Sequence, residues 1–206
     1  MFNAVWVIVN RGGQRYVERM EQRMKSTLLS HQFFVDSGII QDTRATGTPT
    51  VYVNGLDHLE GETVAILADG IVQDQQEVSG GTVTLDAPAY LVNAGLPYYS
   101  DLETLNIEAP LGDGTMQGKR VLVSRVIMRL LNSRGGWFGP DFTTMHEVLG
   151  DYNTDTDDLY TDDIKVTLGA GYSDGGRFCF RQVDPLPITI LGVVPIITAG
   201  GTTQLY

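Results

Sequence analysis

The stretch from Thr50 to Leu85 reads TVYVN-GLDHLEGE-TVAILA-DG-IVQDQQEVS-GG-TVTL, and its punctuation decides the fold. Short runs rich in Val, Ile, Leu, Thr and Tyr are each closed by a turn pair. Thr50–Val53 is followed by Asn54-Gly55, Thr63–Leu67 by Asp69-Gly70, and Gln76–Ser79 by Gly80-Gly81, after which Thr82–Leu85 alternates cleanly. Pairs such as Asn-Gly and Asp-Gly allow the positive backbone angles that tight hairpins need. Turn signals at this spacing indicate antiparallel strands folded into a barrel or sandwich.

The same grammar extends outward in both directions. Val5–Val9 is a β-branched and aromatic run, Asn10-Arg11-Gly12-Gly13 supplies a turn, and Gln14–Met20 returns, which predicts an N-terminal hairpin. From Glu18 to Phe34 the spacing of Met20, Met24 and Leu28 predicts a helix of two or three turns with that stripe in a core. Ala45–Pro49 reads as a linker. After Gly118, Arg120–Leu131, Ile164–Leu168, Arg177–Gln182 and Ile188–Val194 are further strand candidates, separated by Ser133-Arg134-Gly135-Gly136 and Ser173-Asp174-Gly175-Gly176. Pro185 and Pro187 suit an edge or bend, since proline cannot donate to a central ladder. The expectation is an all-β protein of antiparallel barrel or sandwich modules with short helical segments. Three parts are expected: a hairpin and connecting segment over 1–44, an acidic barrel-like module over 45–117, and a second β-rich module over 118–206.

A chain of 206 residues with 42% hydrophobic and 19% charged content is long enough and apolar enough to bury a real core. No window of 18 apolar residues exists to cross a membrane as a helix, and Met1–Asn10 lacks the basic flank and cleavage site of a signal peptide. The net charge of −11 is unevenly spread. Eleven acids and no Lys or Arg fall between Ala45 and Gly118, while five basic residues and no acid fall between Lys119 and Arg134. Such blocks match surfaces between partners, and an acidic surface also repels DNA phosphates. No recognition motif for sequence-specific nucleic-acid binding accompanies them.

Chemistry-bearing residues are sparse. Cys179 stands alone in Arg177-Phe178-Cys179-Phe180-Arg181, where alternation makes it a small buried hydrophobe rather than a nucleophile. His31, His58 and His146 share no metal-ligand spacing. Asp57-His58-Leu59-Glu60-Gly61-Glu62 gathers acids around a histidine, but neighbouring strand residues point to opposite faces, so the cluster reads as a polar turn. Asp151–Asp158, with Asp162 in twelfth place, superficially matches a calcium loop; Thr156 replaces the loop's glycine and Asp162 its glutamate, so it reads as an exposed acidic loop. Gly169-Ala170-Gly171 lacks the third glycine of a dinucleotide fingerprint. No hydrolase, phosphate-loop or zinc-protease motif is present. No catalytic, cofactor-binding or metal-binding residue is therefore assigned, and no enzymatic activity is expected.

Three ordered segments carry a resemblance. The first runs from Phe33-Phe34-Val35-Asp36-Ser37-Gly38 into Gly55-Leu56-Asp57-His58-Leu59-Glu60-Gly61-Glu62-Thr63-Val64 and Leu67-Ala68-Asp69-Gly70. The second spans Lys119-Arg120-Val121 through Arg129-Leu130 to Ser133-Arg134-Gly135-Gly136 and Gly139-Pro140-Asp141. The third is Asp174-Gly175-Gly176-Arg177-Phe178-Cys179-Phe180-Arg181-Gln182, continued by Asp184-Pro185-Leu186-Pro187-Ile188-Thr189-Ile190-Leu191. Together, over about Val5 to Ile197, they resemble the C-terminal part of tailed-phage tail proteins of the nozzle or hub type. That region often carries a label taken from the first catalytic-cysteine half-domain of ubiquitin-activating enzymes; it implies no ubiquitin chemistry, and Cys179 lies far outside Gly55–Val64, the most specific stretch of the resemblance. The resemblance implies a structural virion protein, assembled in the host cytoplasm into a homo-oligomeric ring, often hexameric. Its expected partners are copies of itself, other tail or adaptor proteins, and genomic DNA passing non-specifically during ejection, with no membrane insertion. Members of the family usually carry a large N-terminal β-propeller-like region, whereas this chain starts in what resembles the last hairpin of that region. A receptor- or glycan-binding module at a tail tip or fibre is the alternative, resting on Tyr98, Tyr99, Trp137 and Phe138 beside glycine or proline turns.

Overall fold

A computed structural model describes residues 4–22, 26–108, 110–111, 114–115, 118–149, 158–169 and 171–200. The described chain is all-β, with every strand pairing antiparallel and only single 3-10 turns between strands. It divides into two compact units, Met1–Tyr98 with Asp155–Asp158, and Tyr99–Thr154 with Leu159–Tyr206.

In the first unit, β1 (Val5–Arg11) and β2 (Gln14–Met20) form a two-stranded ribbon with Val5 opposite Met20 and Arg11 opposite Gln14. The expected helix from Glu18 is not formed: Glu18, Arg19 and Met20 continue β2 by pairing with Val7, Trp6 and Val5. Met20 and Leu28 are exposed rather than in a core, Met24 lies outside the described residues, and the nearest helical element is one turn at Leu29–His31. The ladder to β1 fixes more hydrogen bonds than a marginal short helix could offer.

The body of this unit has six strands: β3 (Asp36–Asp42), β4 (Thr50–Asn54), β5 (Thr63–Ala68), β6 (Ile71–Glu77), β7 (Thr82–Ala89) and β8 (Leu91–Leu96). One sheet runs β3-β8-β5-β6 and the other pairs β4 with β7. Side-chain amides stitch them into a closed wall. Gln73 and Gln76 on β6 accept from the backbone N–H of Asp86 (3.1 Å) and Thr84 (3.3 Å) on β7. Gln41 on β3 donates to Tyr52 O at 2.7 Å and accepts from Asn54 N at 3.0 Å on β4. Inside, Val53, Leu56, Leu59, Val64, Ile66, Val83, Leu85, Val92 and Ala94 form one buried cluster.

β5 and β8 are buried at almost every position because both faces are covered. Their second face lies under the segment around Leu29, Gln32 and Val35, tied down by Asn93 Nδ2 donating to Gln32 O at 2.8 Å. Gly38 and Gly95 permit this close approach: a Cβ on Gly95 would lie 2.5 Å from Gly38 Cα. A fully covered strand reads as the continuous apolar run Val64–Ala68 rather than as an alternation.

The second unit contains β9 (Ser100–Glu103), β10 (Pro110–Leu111), β11 (Gly114–Thr115), β12 (Arg120–Leu130), β13 (Trp137–Asp141), β14 (Thr144–Glu147), β15 (Asp163–Thr167), β16 (Tyr172–Asp174), β17 (Cys179–Gln182) and β18 (Ile190–Ala199). β12 is the spine of one sheet: β15 and β16 share one side of it and β18 runs along the other. A bulge between Val123 and Arg125 resets the alternation, so Val121, Val123, Val126, Met128 and Leu130 all face inward. A second sheet, β14-β13-β17-β9, contributes Phe138 and Phe180 to the same core. The boundary expected near 117 falls at Tyr98/Tyr99 instead, because β9 pairs with β17, placing Phe180 opposite Leu102.

Candidate functional site

The polar turn of the first unit was the densest cluster of chemical groups in the sequence, and the fold assigns most of them a structural partner. Leu56 and Leu59 anchor the segment in the barrel core, and Asp57–Leu59 makes a single 3-10 turn between them. Glu60 reaches the neighbouring Gly80-Gly81 turn, accepting from the N–H of Gly80 at 2.9 Å and of Gly81 at 2.8 Å. These two donors hold its carboxyl below the usual range. Gly81 is left-handed at φ +67° and pressed against Asp57, so the second turn needs glycine both for its angle and for its space. Asp69 repeats the device one turn further on, accepting from Tyr90 N and Leu91 N at 2.8 Å each.

His58 is half-buried, and its Nε2 lies 2.7 Å from Ser37 O; a carbonyl only accepts, so Nε2 carries the hydrogen. The Ser37 hydroxyl donates elsewhere, to Glu18 at 2.9 Å. His58 therefore contacts the main chain of Ser37 and not its hydroxyl, so the two do not form a nucleophile–base pair. Ser37 is instead a junction, joining the hairpin through Glu18 and the polar turn through His58. It holds a left-handed backbone at φ 49°, which is uncommon for a residue with a side chain.

Beside this junction lies an open groove of about 1070 Å³ between the ribbon and the body, lined among others by Tyr16, Glu18, Phe33, Asp36, His58 and Tyr98. The ring of Tyr16 is 6.2 Å from that of His58. Glu18 also pairs with Arg11 across the ribbon.

In the second unit, Arg181 on β17 forms a two-pronged pair with Asp101 on β9, with both N–O distances 2.6 Å. The pairing holds Asp101 below the ordinary carboxylate range. The guanidinium also lies over Phe142 at 4.7 Å and Tyr99 at 5.5 Å. Of the four aromatics proposed to meet sugars, Tyr98 and Tyr99 are exposed and Trp137 is half-buried. Phe138 is core, packed 5.4 Å from Phe178. Alternation along β13 decides this, since Trp137 and Phe138 point to opposite faces. The Arg181 cluster was not legible in the sequence, because Asp101 and Arg181 lie 80 positions apart.

Cys179 is buried on β17, and burial pushes its thiol up. Of the calcium-like loop, 151–157 lies outside the described residues, while Asp162 caps the start of β15 by accepting from Asp163 N at 2.7 Å. In comparisons with known proteins, no protein family matches this chain and no curated protein matches it.

Proposed function

We propose that the chain is a structural subunit of a bacteriophage tail, a nozzle- or hub-like component whose work is self-assembly and the passage of DNA. The observation that carries the reading is the ordered set of three family-like segments. In its most specific stretch, Gly55–Val64, His58 and Glu60 bond to main-chain groups of neighbouring segments, as in a part selected for shape. The acidic surface is the second support. All nine acids between Asp36 and Asp86 are exposed and Arg44 is the one cation among them, a surface that DNA slides past without sticking. Mass spectrometry of purified virions encoding this chain is the test: its presence at several copies per particle is expected, and its absence overturns the reading.

One observation favours a second reading, in which the protein binds a glycan or receptor at the tail tip. Tyr99 is 62% exposed beside the Arg181 guanidinium and Phe142, offering a flat ring and polar donors side by side. Binding of purified protein to host-surface polysaccharide, lost on Tyr99→Ala with the fold intact, is the outcome that reading requires.

A further inference from the structure

Proteins protect the open edges of their sheets, usually with charge. In this chain the protection is systematic. The edge strands β15 (Asp163, Lys165), β16 (Asp174), β14 (Glu147) and β9 (Asp101, Glu103) all carry charged residues, and the barrel seams are closed by glutamines. Two long edges among the described residues break the rule. β18 is ten residues long, pairs only with β12, and has no charged residue; the sequence stays uncharged from Pro185 to Tyr206. Leu191, Val193, Val194 and Ile196 are 37–59% exposed on it, and Pro195 is its single blunting device. β1 is uncharged from Val5 to Asn10, pairs only with β2, and exposes Trp6 at 62% and Ile8 at 75%. Its partner β2 carries Arg15, Glu18 and Arg19 and supplies the Glu18 bond to the body.

We infer that these two edges are made for each other on different copies of the chain: β1 of one subunit adds to the free edge of β18 in the next. This deepens the proposed function and rests on its reading of the chain as a self-assembling subunit. A two-stranded ribbon is marginal in water, and joining the β18-β12 sheet makes it part of a continuous sheet of at least four strands across. Because β1 and β18 belong to different units, the contact brings the first unit of one copy to the second unit of its neighbour. Joining two different surfaces is heterologous, the kind of contact that generates a ring when its rotation closes.

Complementation between two blocked variants tests the pairing on the full chain. Ile8→Lys charges β1 and Val194→Lys charges β18, both at sites exposed enough that the fold is retained, which circular dichroism and an unchanged melting temperature verify. Light scattering is expected to show oligomers for the parent and monomers for each variant alone. An equimolar mixture should form dimers and nothing larger, because the intact β18 of Ile8→Lys accepts the intact β1 of Val194→Lys. Loss of assembly in Val194→Lys but not in Ile8→Lys points to β18 pairing with itself and overturns the inference, as does loss in Ile8→Lys but not in Val194→Lys. An oligomer untouched by both variants overturns the edge pairing while leaving the self-assembling subunit in place. A parent that stays monomeric at all concentrations overturns both.

Discussion

Glu60 accepts from two adjacent main-chain N–H groups, and its ionisation is therefore linked to folding. Its folded-state pKa lies below the ordinary 4.5, so its contribution to stability is complete above that value. It disappears as the pH falls through the lowered folded value. Glu60→Gln should be less stable than the parent at neutral pH, and the gap should close in acid; urea unfolding at the two pH values measures this. Gly95 tests packing in place of charge. A methyl there would lie 2.7 Å from Asp36 O and 2.9 Å from a Val35 methyl, so Gly95→Ala should cost about 1–3 kcal/mol in urea unfolding with an unchanged m value. The reverse change inside the barrel, Ile66→Ala at a fully buried position, should cost about 2–5 kcal/mol.

At the scale of elements, the most distinctive pieces are the glutamine seams. Gln41 satisfies one donor and one acceptor of β4, so Gln41→Ala should accelerate hydrogen exchange at the Asn54 amide while leaving the β5–β8 amides protected. Strand positions around these seams were legible in the sequence, because turn pairs such as Asn54-Gly55 and Gly80-Gly81 fall where the chain reverses. The seams were not, since a glutamine in a strand looks the same whether it faces water or a neighbouring strand. The helix expected from Glu18 failed for a similar reason. Met20, Met24 and Leu28 have helical spacing, but Val5, Trp6 and Val7 were already positioned to extend the ladder, and spacing alone does not weigh a partner strand. In the candidate site, the polar turn at Asp57–Glu62 could be read locally, whereas the Ser37 junction and the Asp101–Arg181 pair depend on contacts distant in sequence.

For the whole molecule, the division at Tyr98/Tyr99 separates an acidic barrel from a sandwich whose spine, β12, carries Arg120, Arg125 and Arg129. Duplex DNA should show no retardation with the isolated protein at physiological salt, given the net charge of −11. The stitched barrel also has a mechanical character. Strands joined by a row of main-chain bonds resist shear together, but a wall with two lines of side-chain amides has built-in places to yield. Under a pulling load it would part along β6/β7 or β3/β4 first, and each sheet would stay whole, ready to close again when the force is released.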